Sequence, residues 1–260
     1  MEKILITAGV HGNEIGSVLI CREIKGWVDS RGIENVEVIP EVNLEAVERK
    51  ERENPLDHKD LNRIFPGKED GTRSEGIARQ IFDKAKKFDI VIDLHTYGSQ
   101  SRCIPYMLTD LNQDYNRELC ERIGLETAVQ TGGTDGQLFI ETSKLDIPSM
   151  IIEAGGAEWF REELETVKEN LLDFLFERSG PSSEKEVDYY HHYERISPEG
   201  GGHFKPRKEP GDEVDEEEIL GRIEGEPVRA DFPGLILGMK RAGAYNPEEK
   251  SVAAVAERKS

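Results

Sequence analysis

The sequence predicts an α/β fold with a mixed, mostly parallel sheet flanked by helices, followed by a small C-terminal all-β domain. Short β-branched apolar runs (KILITA at 3–8, VEVIPEV at 36–42, DIVIDL at 89–94, IPSMIIE at 147–153) alternate with longer segments of helical apolar spacing. The composition then changes after Arg178, where Ser179-Gly180-Pro181-Ser182-Ser183 reads as a linker. Beyond it, alternating runs and turn signals dominate: GGGHF, EPGDEV, ILGRIEG and VRADFPGLILGM. The expected units are residues 1–180 and 184–260.

Taken in order, Lys3 to Ala8 is a buried strand ending at Gly9. HGNE follows at 11–14, and Ile15 to Trp27 repeats apolar residues at helical spacing, giving strand, loop, helix. Val36 to Val42 is a second strand. Residues 43–71 are polar, rich in turn formers, and expected to wrap over the surface. Ser74 to Lys87 is a helix with Ser74 as its cap. Asp89 to Leu94 is the clearest central strand and runs directly into His95. Gln113 to Ile123 is helical, Ile147 to Glu153 is a strand ending at Ala154-Gly155-Gly156, and Trp159 to Glu177 is a long amphipathic helix. The charge run EVDEEE at 213–218 is expected to be a solvated loop.

With 53 acidic against 34 basic residues, the net charge of −19 argues against a nucleic-acid partner, which needs clustered Lys and Arg. It fits an acidic surface or a salt-adapted source, and composition does not choose between them. Hydrophobic residues at 36% and charged residues at 33% describe a soluble globular chain. The three cysteines, Cys21, Cys103 and Cys120, are odd in number, scattered, and form no CxxC pair. That argues against a disulfide framework or a thiolate zinc site, and reduced thiols in a cytoplasmic protein are the simplest account. The N-terminus lacks a signal-peptide core, and no run approaches the roughly 18 apolar residues of a membrane span, so no membrane partner is expected.

A catalytic zinc takes three protein ligands and keeps one position open for water. His11 and Glu14 sit three apart just after a strand, a spacing that puts both side chains on one face of a first helical turn. His95 ends the DIVIDL strand, and strand C-termini in a parallel sheet lie at one edge. Alone, an HxxE pair recurs by chance, and a single His after a strand is usually structural. Together, the two segments can deliver a His₂Glu set to one point. His58, His191, His192 and His203 compete weakly. Glu153 ends an apolar strand at the same edge, where a carboxylate can move a proton between water and a leaving amine. A buried acid there is costly without a function or a partner. Asn62-Arg63 sets a side-chain amide beside a guanidinium that fits a carboxylate, and Arg52 is a second cation suited to an oxyanion.

HGNE (11–14), VN (42–43), AVERKER (46–52), DLNRIFPG (60–67), DLH (93–95) and IIEAGG (151–156) occur in the order seen in the succinylglutamate desuccinylase/aspartoacylase family. The chain resembles that family, of the zinc carboxypeptidase clan, over roughly residues 3–160. The resemblance implies a zinc carboxypeptidase-like fold, one Zn²⁺ ion on His11, Glu14 and His95, Glu153 as general base, and substrate contacts from Arg52, Asn62 and Arg63. EPGD (209–212) and GAYNPEEKSVAAVAE (243–257) resemble the tail of aspartoacylase-like proteins, which implies that Tyr245 reaches the substrate. The chain departs from the family at Asn43-Leu44, where members often have Asn-Pro, and has no arginine at Ser143, near where some members carry one that binds substrate.

The expected function is zinc-dependent removal of the acyl group from a small N-acyl amino acid, with an acidic side chain as the option considered. A metallocarboxypeptidase with the same site is one alternative, although a β domain that narrows the entrance disfavours peptides. A catalytically silent ligand-binding protein of the same fold is the other. The acyl group, the amino acid and any homo-oligomeric state stay open.

Overall fold

The computed structural model describes residues 1–131, 133–156, 161–176, 186–248 and 251–258. The expected linker at 179–183 and the ends of the helix expected over 159–177 lie outside the described residues. The first part runs β1 (Ile4–Ala8), α1 (Ile15–Arg31), β2 (Val36–Ile39), α2 (Leu44–Arg49), a 3₁₀ turn (Leu61–Arg63), α3 (Arg73–Ala85), β3 (Ile90–His95), β4 (Ser101–Thr109), α4 (Asp114–Ile123), β5 (Thr127–Gln130), α5 (Leu138–Ser143), β6 (Ser149–Gly156) and α6 (Arg161–Phe176). The second part is all strand: β7 (Asp188–Ile196), β8 (Gly202–Pro206), β9 (Glu213–Val214), β10 (Ile219–Ile223), β11 (Glu226–Arg229), β12 (Gly234–Lys240), β13 (Gly243–Tyr245) and β14 (Ala253–Arg258).

The main sheet has ten strands in the order β2-β1-β3-β6-β4-β5-β7-β14-β12-β9. β2, β1, β3 and β6 are parallel neighbours, β4 is antiparallel to β6, and β4, β5 and β7 run parallel. The mixed α/β architecture is therefore the expected one. The C-terminal strands extend this sheet through β7 and also form a second, four-stranded sheet, β11-β10-β8-β13.

Strand alternation divides the core into layers. On β1, Ile4, Ile6 and Ala8 face the layer formed by α1, α4 and α6, while Leu5 faces the layer containing α3 and Leu138 of α5. On β3, Ile92 and Leu94 join the first layer and Val91 the second. Asp93 and His95 follow Val91 by twos, so both point to the α3 side. The second sheet has its own core around Phe204, Leu220 and Ile236. Among the described residues, no helix is long and apolar enough to cross a membrane.

Local chemistry sets the helix ends. Gly32 closes α1 in the left-handed region at φ 62°, its N–H donating to Asp29 and Val28 carbonyls. Thr72, not Ser74, caps α3, and Glu75 Oε2 accepts from the Thr72 N–H at 2.8 Å. Ser74 is instead drawn to Asp57, which accepts from its N–H at 2.8 Å and its hydroxyl at 2.7 Å. The polar stretch 43–71 is not merely a surface wrap, because Asn43, Asn54, Leu61, Asn62 and Phe65 are buried. EVDEEE begins as strand β9, since Val214 is buried opposite Gly234, and only then turns into solvent.

Candidate metal centre and active site

The site forms where parallel strands β1 and β3 end together. Gly9 leaves β1 at φ 70°, and a Cβ on Gly12 would lie 2.0 Å from the Ala46 carbonyl carbon, so only glycine lets the HGNE loop sit against α2. That approach presents His11 and Glu14 to His95 at the tip of β3. His11 Nδ1 is 2.8 Å from Glu14 Oε1, and His95 Nδ1 is 2.9 Å from Glu14 Oε2. One ligand atom from each residue lies within 4.8 Å of the others. Both histidines are 4% exposed and Glu14 is 7% exposed, so these polar groups are concentrated where burial alone would penalise them. Burial works against ionisation of Glu14, but His11 and His95 outweigh it and hold the carboxyl well below its usual range. Burial likewise opposes protonation of His95, yet Asp93 and Glu14 hold its imidazolium form well above the ordinary range.

The far nitrogen of each ring is also held by a carboxylate. His11 Nε2 is 2.9 Å from Asp60 Oδ1, and His95 Nε2 is 2.9 Å from Asp93 Oδ2. Asp93 is fully buried and accepts a further hydrogen bond from Thr7 Oγ1 at 2.7 Å. Asp60 does more. Its Oδ2 accepts from Arg52 at 2.9 Å, and its Oδ1 accepts from the Asn62 N–H at 2.9 Å, capping the turn that carries Asn62 and Arg63. Burial opposes its ionisation, but His11, Arg52 and Arg63 hold Asp60 far below the usual carboxylate range. A donor set of two imidazoles and one carboxylate, each imidazole backed by an outer carboxylate, fits a divalent transition metal.

Glu153 stands beside this cluster. It pairs with His95 across β3–β6 and with Tyr106 across β4–β6, so the three residues form one row at the sheet edge. Its Oε2 is sealed from solvent and has no hydrogen-bond partner among the described residues. Burial raises its carboxyl above the usual range and Glu14 adds to the effect, while His95, Arg195 and His11 offset only part of it. The Tyr106 hydroxyl meets that of Tyr97 at 3.3 Å.

Arg52 and the Asn62-Arg63 turn, three of the four residues expected to contact substrate, lie against the cluster through Asp60. Arg52 reaches Glu14 Oε1 at 3.4 Å as well as Asp60. The Asn62 carboxamide oxygen accepts from the Leu138 N–H at 3.3 Å, and Arg63 Nη1 donates to the Asn62 carbonyl at 2.6 Å. The loop before α5 presses on Arg63, where Gly136 at φ 87° leaves no room for a Cβ. Tyr245 lies elsewhere: its ring is buried in the core of the second sheet and its hydroxyl donates to the Pro198 carbonyl at 3.0 Å.

Residues 1–176 match the succinylglutamate desuccinylase/aspartoacylase catalytic-domain family model. The chain belongs to this family. It is 27% identical over 163 residues to the N-alpha-acetyl-L-2,4-diaminobutyric acid deacetylase of Halomonas elongata, a match covering 62% of this chain and 46% of the relative. The chain thus spans just under half the length of that curated relative. A succinylglutamate desuccinylase/aspartoacylase of Rhodobacter sphaeroides has the same fold, with a TM-score of 0.86 and 23% identity over 100% of this chain and 86% of that one. The product-bound ectoine utilization protein EutE (DoeB) of Ruegeria pomeroyi also shares it, with a TM-score of 0.84 and 22% identity over 98% and 84%.

Asp60, Asp93 and Thr7 hold this cluster in place, and motif reading passed over them. Asp93 had a local signal, since it precedes His95 by two on a strand and must share its face. Asp60 opens the DLNR motif but lies 49 residues from His11, and no local rule joins them.

Proposed function

We propose that the chain is a zinc-dependent hydrolase that removes the acyl group from a small N-acyl amino acid. One observation carries the reading: a sealed Glu153 oxygen, without a partner among the described residues, stands beside a buried His₂Glu set whose rings are both oriented by carboxylates. His11, Glu14 and His95 would hold the ion, which when bound supplies Lewis acidity to a water and to the acyl carbonyl. Glu153 accepts the water proton, assisted by a carboxyl held above its usual range, and returns it to the departing amine. Arg52 faces the developing oxyanion. Arg63 and the Asn62 NH₂ group take the carboxylate of the amino acid and fix the amide for attack. Family membership supports deacylation, and the Halomonas relative is named a deacetylase.

In this reading residues 1–180 form the hydrolytic unit, with a zinc carboxypeptidase-like fold, and residues 184–260 the β unit that borders its entrance. Three free, buried cysteines fit a reducing, cytoplasmic setting. The test is amine release by zinc-loaded protein from N-acetyl and N-succinyl amino acids, beside a short peptide with a free C-terminus. Release from an N-acyl amino acid, abolished by chelator and by Glu153→Gln, is the expected result. Release of a C-terminal residue from the peptide alone would replace the deacylase with a carboxypeptidase.

A further inference from the structure

The second sheet turns a row of cations outward. Phe204 on β8 points into the core, while His203, Lys205 and Arg207 alternate to the exposed side. β10 is the antiparallel neighbour of β8, and its register sets Arg222 directly opposite Lys205. On the far side of β10, Pro227 of β11 stands opposite Arg222 and adds no acid to the row. These side chains open on a cavity of about 600 Å³, walled by β8, Arg222 and the Glu224-Gly225 turn between β10 and β11. No residue of the metal centre lines it.

Like charges directly opposite on paired strands repel, so Lys205 and Arg222 work against the sheet that carries them. Acids are plentiful, at 53 against 34 basic residues, and nearby cations find them: Lys208 pairs with Glu218, and Arg229 reaches Glu217 at 3.7 Å. The Lys205 and Arg207 side chains form no hydrogen bond or ion pair among the described residues. Arg222 Nη1 donates to the Gly225 carbonyl at 2.6 Å and meets no carboxylate among the described residues. Glu224 is the acid in the cavity wall, and it is engaged elsewhere. It stands at φ 49° in the turn, and its Oε1 accepts from the His203 backbone N–H at 2.7 Å. Three cations thus face one space without a counter-charge bound to any of them.

We propose that this cavity binds a small phosphate-bearing solute, inorganic phosphate or a phosphate monoester, at a site separate from the metal centre. Lys205, Arg207 and Arg222 against Glu224 leave an excess of two positive charges, which matches the charge of about −1.5 to −2 on a phosphate monoester near pH 7. Directly opposite residues have Cβ atoms about 4.5–5.5 Å apart, so Lys205 and Arg222 converge on one compact group. The guanidinium supplies a fork for two phosphate oxygens and the ammonium a point charge for a third. The volume falls within the roughly 300–1,000 Å³ of small-ligand pockets, which leaves room for the organic part of a monoester. Larger anions are disfavoured. Nucleic acid, an anionic membrane or a second copy of this chain would meet the repulsion of a surface with net charge −19. A small solute inside the cavity feels mainly the cations within a Debye length, about 8 Å at physiological ionic strength.

The experiment titrates inorganic phosphate, glycerol 3-phosphate and succinate into the zinc-loaded protein by calorimetry at fixed ionic strength. The same titrations are run on Lys205→Gln/Arg207→Gln, Arg222→Gln, Arg229→Gln and Arg63→Gln proteins. At least one phosphate compound should bind, and succinate, whose two charges are spread apart, should bind about tenfold or more weakly. Tighter binding of glycerol 3-phosphate than of phosphate identifies a monoester site, and equal binding identifies phosphate itself. Lys205→Gln/Arg207→Gln and Arg222→Gln should each weaken binding by about tenfold or more, as loss of a charge-assisted contact does. Arg229→Gln, which removes the same charge from the same sheet outside the cavity, and Arg63→Gln, at the candidate active site, should leave binding unchanged. The Lys205→Gln/Arg207→Gln protein should melt no lower than wild type without phosphate, because it loses only repulsion and exposed side chains. Silence with both phosphate compounds, binding that survives the cavity variants, equal loss in Arg229→Gln, or loss in Arg63→Gln alone would each overturn the proposal. So would succinate binding as tightly as phosphate, or cavity variants that change only the oligomeric state.

Discussion

Asp60 Oδ1 lies 2.9 Å from His11 Nε2, and the same carboxylate holds Arg52 at 2.9 Å through its other oxygen. One side chain thus sets the orientation of a candidate metal ligand and of a candidate oxyanion cation. By capping the Leu61–Arg63 turn, it also aims the two residues expected to bind the substrate carboxylate. Glu14 has the corresponding role inside the cluster, with one oxygen toward each imidazole.

Asp60→Asn removes the negative charge that fixes His11 and Arg52 while keeping the shape of the side chain. Loss of such an outer carboxylate typically weakens metal binding by about 10–100-fold. We expect zinc affinity, measured by competition with a chromophoric chelator, to fall within that range and kcat to fall as well, since Arg52 is released too. Unchanged affinity would mean that Asp60 serves only to cap the turn.

Glu153→Gln keeps the size of the side chain and deletes its proton-transfer capacity. Zinc content, measured by elemental analysis, should be unchanged, and kcat should drop by roughly 100- to 10,000-fold. If zinc is lost together with activity, Glu153 belongs to the ligand set instead.

The metal-free protein should show a defined pH response. The folded His95 pKa is raised above its ordinary 6.5, so its contribution to stability is complete below that value and is lost as pH rises through the raised folded value. The folded Glu14 pKa is lowered below 4.5, so its contribution is present above that value and is lost as pH falls through the lowered one. Glu153, raised above 4.5, adds a further loss of stability as pH climbs from there. Thermal unfolding in chelator should therefore show greatest stability at mildly acidic pH. Zinc needs the neutral His95 ring, so its affinity should rise with pH through neutrality, with proton release visible by calorimetry in buffers of differing ionisation enthalpy.

Gly12→Ala would place a methyl group 2.0 Å from the Ala46 carbonyl carbon. That backbone cannot yield as a flexible side chain would, and overpacking of this kind costs about 1–3 kcal/mol. We expect a lower midpoint in denaturant unfolding together with weaker zinc binding, because the displaced loop carries His11 and Glu14. Gly26→Ala on α1, where a Cβ meets nothing within 4 Å, is the matched control and should not destabilise the protein.

How much was visible beforehand depended on the range of the interaction involved. β1, β3 and β6 were legible because strands covered on both faces need continuous apolar runs, and their pairing sets His95 beside Glu153. β4 was missed because Arg102 and Pro105 interrupt its apolar pattern. It is a strand because β6, β5 and β12 supply its partners, with an irregularity in register between Cys103 and Tyr106 at the proline. Likewise, β7 (DYYHHYERI) has no clean alternation and is held by β5 and β14.

By itself, then, the sequence determined the α/β class and the central strands, because each follows from periodicity along one segment, and it marked His11, Glu14, His95 and Glu153 as candidates at the ends of those strands. Tertiary structure alone decided that Asp60 and Asp93 back the two imidazoles, that Tyr245 lies in the core of the second sheet, and that Arg195 borders a cavity shared with Arg63. Each of those depends on where distant strands and loops come to rest. That is fixed by the burial and hydrogen bonding of the whole sheet, which no local pattern of residues encodes.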